Sequence, residues 1–178
     1  MVEVSIDSIR VSLMSQHRIV ILKDIDSERF LPIWIGPFEA EAITVSLQEL
    51  EVARPLTHDL LRNVLQALGA DVLQIKITEL REDVFYARIV LRFNGKEIEI
   101  DSRPSDALNV AVRTHARIFV DESVMQEAAT RPETEVETGK AGEAGEVARD
   151  DERLEVFKDF VETLDLDDID SADQEPDK

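Results

Sequence analysis

The chain has 178 residues, no cysteine and a formal net charge of −19 at pH 7. The absence of cysteine excludes disulfides and thiolate metal sites and is compatible with a reducing compartment. Residues 132–178 contain 5 basic and 18 acidic residues and so carry −13, which leaves −6 for residues 1–131. Because Lys and Arg supply the affinity for phosphate backbones, any nucleic-acid function requires local arginine clustering against this overall field.

The beginning of the chain predicts a cytoplasmic location. Residues 1–5 show neither a basic region nor a long apolar run, so a signal peptide is not predicted. No apolar run reaches the ~18 residues that a membrane-spanning helix needs. We therefore expect no membrane association.

The first third of the chain predicts three strands followed by a helix. Alternating apolar residues favour a strand over 2–13, a turn at 15–18 and a fully apolar strand over 19–22. Residues 30–35 form a third predicted strand, and 38–50 change to helical periodicity. The apolar stripe of this helix contains Ala40, Ile43, Leu47 and Leu50.

A second predicted helix links two similar halves. Thr57 is a good N-cap, and Asp59 falls in the first turn, where a negative charge is favourable. Gly69 is a natural C′ residue that ends the helix. Its apolar face contains Leu60, Leu61, Val64, Leu65 and Leu68.

The second half repeats the order of the first. Asn94-Gly95 is the strongest hairpin signal, because both residues tolerate the positive φ of a type I′ turn. The sequence thus predicts an α+β fold of duplicated β-β-β-α units with a mixed or antiparallel sheet over residues 1–131. The predicted elements of this half are strands over 73–78, 85–93 and 98–100, a helix over 104–113 and a short strand at 118–120.

The composition changes after the predicted domain. Residues 132–150 are rich in Gly and Glu and predict a flexible linker, and 151–178 form an acidic tail. One short helix is predicted over 151–164. It either docks on its own core or binds a groove on a partner protein. Its apolar stripe contains Leu154, Phe157, Val161 and Leu164.

Two short segments share one layout. Residues 34–40 (WIGPFEA) and 101–107 (DSRPSDA) each end a predicted strand with a proline, a carboxylate two residues later and an alanine. Pro and an acidic residue are ordinary at a helix start, so one interpretation is simply two well-begun helices. The other is that a pseudo-symmetric fold brings Glu39 and Asp106 together in one site.

Several familiar chemistries are not supported. The chain has no G-x-S-x-G elbow, no phosphate-binding P-loop and no dinucleotide fingerprint, and its three histidines lack paired metal-binding spacing. We therefore expect no organic cofactor. What remains is carboxylate, arginine and histidine chemistry.

The carboxylates suggest a cation site. The candidates are Glu39, Glu41, Asp101 and Asp106, which supply oxygen ligands of the kind that Mg²⁺ or Mn²⁺ prefers. A cation held there can activate water and stabilise phosphoryl oxygens. Each carboxylate also has an ordinary interpretation as a helix-start or ion-pair residue.

The basic residues suggest binding of phosphate and transfer of protons. Arginine matches phosphate geometry in a bidentate way, which favours Arg54 and Arg103 as substrate-binding residues. His58 is a candidate acid or base near neutral pH. The alternative is that Arg103 pairs with neighbouring carboxylates and His58 is only solvated.

Residues 31–40, 54–61 and 101–111 together resemble the bifunctional nuclease family. The resemblance implies a single α+β domain, often oligomeric, that cleaves DNA and RNA, and it does not bring a mechanism. On the matching segments the catalytic candidates are Glu39, Asp106, His58 and Arg103.

Two classes of function stay open. The first is a nuclease, with DNA or RNA as substrate and assistance from a divalent metal. The second is a non-catalytic regulatory or scaffold homo-oligomer that binds a protein partner through helix 151–164.

Overall fold

The computed structural model describes residues 1–11 and 18–131. Contacts along the chain divide it into a unit spanning Met1–Thr134 and a second spanning Glu135–Lys178. The predicted linker, acidic tail and helix 151–164 lie outside the described residues, as does most of the predicted turn at 15–18.

Seven strands and four helices occur in the described part of the chain. The strands are β1 (Val2–Val11), β2 (Arg18–Asp24), β3 (Phe30–Ile35), β4 (Asp71–Arg81), β5 (Val84–Phe93), β6 (Lys96–Ser102) and β7 (Arg117–Val120). The helices are α1 (Pro37–Leu47), α2 (Thr57–Ala67), α3 (Pro104–Thr114) and α4 (Glu122–Ala128).

The strands form one mixed sheet in the order β3-β2-β1-β7-β4-β5-β6. β1–β3 and β4–β6 are two antiparallel meanders, and β7 lies between them. β7 pairs antiparallel with β1 and parallel with β4. The predicted α+β class with a mixed sheet is therefore confirmed. Both halves also show the predicted β-β-β-α order, whereas their origin by duplication stays a prediction.

The sheet curls so that its two edges converge. β3 and β6 are six strand spacings apart, which is about 29 Å across a flat sheet. Yet Arg103, directly after β6, donates a 2.8 Å hydrogen bond to Glu39, in the helix that follows β3. Only strong curvature brings these two positions together, and it places the ends of both edge strands at one site.

Local signals explain where two of the helices begin. α1 and α3 each start with a proline at the first helical position, after an extended residue, Gly36 or Arg103. Proline suits this position because the N–H it lacks would have no partner within the helix. Glu39 and Asp106 therefore occupy the same place in the first turn of their helices.

Three helices differ from the prediction. Thr57 is the first helical residue, and Leu56 is the cap, because its N–H donates to the Asp59 carboxylate over 2.9 Å. α1 ends at Leu47 rather than at residue 50, and Glu49 takes a positive φ of 51°. The sequence reading missed α4, a helix of only seven residues.

Two turns confirm their sequence signals. Asn94 and Gly95 have φ of 50° and 74° in the two-residue loop between β5 and β6, as a type I′ turn requires. Gly69 has φ 73° directly after Leu68, the C-cap of α2, which is the C′ position predicted for it.

The core consists mainly of Val, Ile and Leu from the strands and α3. No helix in the described part of the chain is long and apolar enough to cross a membrane. The largest fully buried side chains are Leu22, Leu31, Ile43, Ile75, Ile77, Leu108 and Met125.

We expect Ile77→Ala to destabilise the fold by about 2–5 kcal/mol, because the side chain on β4 is fully buried and its removal leaves a cavity. Ile98→Ala is the matched control, since this side chain on edge strand β6 is exposed and should cost less than about 0.5 kcal/mol. Urea unfolding measures both. Equal losses would contradict the burial described here.

Candidate functional site

The N-terminal turns of α1, α2 and α3 line one cavity of about 740 Å³. Each helix carries a carboxylate at the third helical position, namely Glu39, Asp59 and Asp106. Carboxylates are favourable there because they complement the helix dipole. The ionisable residues of the cavity wall are Glu39, Glu41, His58, Arg103 and Asp106.

Arg103 lies between two of these carboxylates. Its Nε donates to Asp106 Oδ2 over 2.7 Å, and its Nη2 donates to Asp106 Oδ1 over 3.1 Å and to Glu39 Oε1 over 2.8 Å. Glu39 Oε1 and Asp106 Oδ1 are thus at most 5.9 Å apart, the sum of 2.8 and 3.1 Å. The structure brings together Glu39, Asp106 and Arg103, as the paired segments suggest.

The contacts in this ion cluster stabilise the charged forms of Asp106 and Arg103. Burial raises the pKa of Asp106, but hydrogen bonds and charge from Arg103 and His58 outweigh it and hold the pKa below its usual value. Hydrogen bonds to Asp106 and Glu39 raise the pKa of Arg103 above its usual value. The side chain of Arg103 is 66% exposed, and its Nη1 makes no hydrogen bond within the described residues. Two N–H groups of a fixed guanidinium are therefore available to a ligand.

His58 completes the group. Its Nε2 lies 3.2 Å from Asp106 Oδ1. An ionised carboxylate only accepts hydrogen bonds, so Nε2 must carry the proton in this contact. In the neutral imidazole Nδ1 is then the unprotonated nitrogen, and it makes no hydrogen bond to the described residues. The arrangement can accept a proton at Nδ1 while Asp106 stabilises the charge that develops.

A buried arginine fixes the helix that carries His58. The Arg113 side chain is 2% exposed, and its Nε donates to Asp59 Oδ1 over 2.7 Å. Nη1 donates to the backbone and side-chain oxygens of Asn109, and Nη2 donates to the Ala42 carbonyl over 3.1 Å. One guanidinium thus connects α1, α2 and α3. Arg113 was not predicted from the sequence; its signal is a charge that directly follows the apolar run Val110, Ala111 and Val112 in α3.

Two further residues missed in the sequence fix Glu39. The buried Asn109 amide donates to the Glu39 and Ser105 carbonyls, both over 3.0 Å, and so clamps α1 onto α3. A Cβ added at Gly36 would collide with the Glu39 carboxylate. Gly36 therefore leaves room for the carboxylate that holds Arg103.

Two predicted site residues are not part of this group. Asp101 lies on β6 opposite Arg88, and Arg54 is exposed in the loop before α2. Neither lines the cavity, whereas Val52 and Pro55 beside Arg54 do. Within residues 1–11 and 18–131, no cluster of three or more His, Asp or Glu is arranged to hold a metal ion. The roles proposed for Asp101 and Arg54 stay predictions.

Comparison with known proteins identifies the family of the chain. The model of the bifunctional nuclease domain family matches residues 20–133, which is more than half of the chain. The chain belongs to this family.

Its relatives fall into two groups. An uncharacterized protein of Mycobacterium tuberculosis is 37% identical over 167 residues, which cover 94% of this chain and 97% of that protein. Bifunctional nuclease 1 of Oryza sativa subsp. indica is 29% identical over 111 residues, 61% of this chain and 34% of that protein. Bifunctional nuclease 2 of Arabidopsis thaliana is 26% identical over 109 residues, 59% and 33% respectively. The match thus covers about a third of each plant protein.

We expect Asp59→Asn to lower the free energy of unfolding at neutral pH. We also expect the variant to lose less stability than the wild-type protein when the pH falls. Burial raises the pKa of Asp59, but hydrogen bonds from the Leu56 N–H and Arg113 outweigh it and hold the pKa below its usual value. A lowered carboxyl pKa contributes stability that is present above the unfolded value of about 3.9 and is lost as pH falls through the folded value.

Urea unfolding of both proteins at about pH 7 and at about pH 3 measures this effect. Asp71→Asn is the matched control, because Asp71 is exposed and lies 3.7 Å from Arg92, a surface pair of little energetic value. Equal stability of Asp59→Asn and the wild-type protein at neutral pH would contradict the role of the Arg113 contact.

Proposed function

We propose that this protein is a nuclease that hydrolyses phosphodiester bonds of DNA, RNA or both. One observation carries the proposal: Arg103 is fixed by two carboxylates, presents two unengaged N–H groups and lies beside the His58–Asp106 pair. Arginine in a fixed orientation matches the geometry of phosphate oxygens. Family membership supports the same activity.

The residues divide the work of hydrolysis among them. Arg103 donates from Nη1 to a non-bridging phosphate oxygen and stabilises charge on the pentavalent transition state. His58 Nδ1 accepts a proton from the attacking water, whose oxygen forms the new P–O bond. The bond to the leaving oxygen breaks, and the proton passes from His58 to that oxygen. Asp106 orients the imidazole and stabilises its charged form.

Glu39 acts through Arg103. Its hydrogen bond from Nη2 adds a second carboxylate to the guanidinium that Asp106 already holds through Nε and Nη2. The beginnings of three helices around the cavity favour an anion, but their three carboxylates oppose it. The phosphate is therefore bound mainly by Arg103.

Binding of the predicted cation, Mg²⁺ or Mn²⁺, depends on whether its carboxylate ligands are free. Arg103 occupies oxygens of both Glu39 and Asp106, so these residues do not fit a cation as they are arranged. Metal assistance requires Arg103 to leave both carboxylates. It stays a proposal.

A second candidate is a non-catalytic homo-oligomer. Leu60, Val64 and Leu68 are exposed at intervals of four residues, so α2 presents an apolar stripe. Exposed apolar patches mark association sites. We propose that a second copy of the chain binds the apolar stripe of α2. Binding of a protein partner through helix 151–164 and a cytoplasmic location also stay proposals. Light scattering and the cleavage assay below separate the two candidates.

We expect His58→Gln and Arg103→Lys each to reduce cleavage by about 100- to 10,000-fold, because one removes the base and the other the planar, two-point phosphate contact. The measurement is single-turnover cleavage of a labelled oligonucleotide. Arg88→Lys is the matched control, since Arg88 forms an exposed ion pair with Glu99 on the sheet and should leave activity unchanged. Unchanged activity in both site variants would reject this site.

We expect Arg103→Met to bind Mn²⁺ at least about tenfold more tightly than the wild-type protein. Two carboxylates that share a site without a counter-charge repel each other, and a cation relieves that repulsion. Titration followed by electron paramagnetic resonance measures the affinity, and Arg103→Met combined with Glu39→Gln should lose the gain. Wild-type cleavage in excess EDTA tests metal assistance: persistent cleavage would reject it.

A further inference from the structure

Two exposed aromatic side chains flank Arg103. Phe38 is 82% exposed and lines the same cavity as His58 and Arg103. Trp34 is 59% exposed and lines a second cavity, of about 430 Å³, which Arg103 also borders. The guanidinium thus borders two neighbouring cavities, and each has an exposed aromatic ring at its wall.

The larger cavity has the composition of a site for a base. Beside its charged group and the polar side chains of Glu41 and Thr57, its wall contains a set of apolar residues, namely Phe38, Ala42, Val45, Val52, Pro55 and Leu56. A volume of about 740 Å³ is in the range of sites for small organic ligands, which extends from roughly 300 to 1,000 Å³. An apolar wall beside one phosphate-binding group suits a nucleotide whose base lies against the wall.

The charges limit how such a ligand is bound. Arg103 is the only lysine or arginine among the residues that line either cavity, and residues 1–131 carry −6. Contacts to many phosphates are therefore not available, and most of the affinity has to come from the bases. The faces of bases in a duplex are stacked on one another, whereas those of a single strand can stack on aromatic side chains.

We infer that the substrate is single-stranded nucleic acid, with one unpaired base stacked on Phe38, its neighbour on Trp34 and the phosphate between them on Arg103. This inference rests on the proposed nuclease function and adds the class of its substrate. Phe38 and Trp34 lie on either side of Gly36 and Pro37, so the chain segment that positions Glu39 also positions both rings.

Trp34 is the only tryptophan of the chain, so its fluorescence reports the binding directly. Titration of the full-length protein with a short oligothymidylate should quench this fluorescence, and the same strand annealed to its complement should not. Phe38→Leu should weaken binding by roughly 5- to 150-fold, the range for one lost base stack. Phe38→Tyr should restore it, because the ring is kept.

Salt dependence provides a second readout. One arginine contact to a single strand predicts only a roughly threefold loss of affinity between about 50 and 200 mM salt. Ile25→Ser is the control for lost surface hydrophobicity, since Ile25 is exposed and lines neither cavity. Light scattering on each variant shows whether Phe38 acts through association instead.

The outcomes separate this inference from the proposed function. Cleavage of duplex and single strand at equal rates, with Phe38→Leu unaffected, would overturn the inference and leave the nuclease intact. Quenching and the Phe38→Leu loss without any cleavage would support the inference and reject the nuclease. A change in molecular mass on Phe38→Leu, without a change in affinity per chain, would also overturn it.

Discussion

The buried guanidinium of Arg113 is the constraint on which the arrangement of the helices depends. A charge that is 98% removed from solvent is costly unless it is paired and hydrogen-bonded, because the protein must replace its hydration. α2 supplies the counter-charge through Asp59, and α1 and α3 supply oxygens through Ala42 and Asn109. His58 precedes Asp59 in α2, so the pairing that neutralises Arg113 also determines where the imidazole lies. Fold stability and the geometry of the site thus depend on one ion pair.

Signals that act over a few residues were readable from the sequence. Strand alternation, the prolines at 37 and 104, Asn94-Gly95 and Gly69 each act locally and predicted strands, helix starts and turns. The contact of Arg113 with Asp59, 54 residues away, could not be predicted. A local pattern does not indicate which distant carboxylate pairs with a buried charge. The cap at Leu56 was missed for a related reason: a backbone N–H bonded to a side chain three residues later leaves no characteristic residue at the cap itself.

The two interpretations of the acidic residues at helix starts are not alternatives. Glu39 and Asp106 complement the helix dipoles at the third helical position, and the same two side chains hold Arg103. The ordinary role gives each carboxylate its place, and the curl of the sheet then brings both places together. A guanidinium between two carboxylates has its counter-ions within the protein, so Arg103 is held in one orientation while its Nη1 stays exposed.

The short strand β7 gives the molecule a narrow joint. It is four residues long, pairs with three residues of β1 and four of β4, and among the described strands it alone connects the two meanders. Glu39 follows one meander, whereas Asp106 follows the other. Partial opening at this joint would separate them while each meander kept its own ladder of hydrogen bonds, at a free energy below that of global unfolding. Such an opening must also break the hydrogen bonds from Asn109 and Arg113 to the backbone of α1, so β7 and the contact between α1 and α3 together hold the two halves.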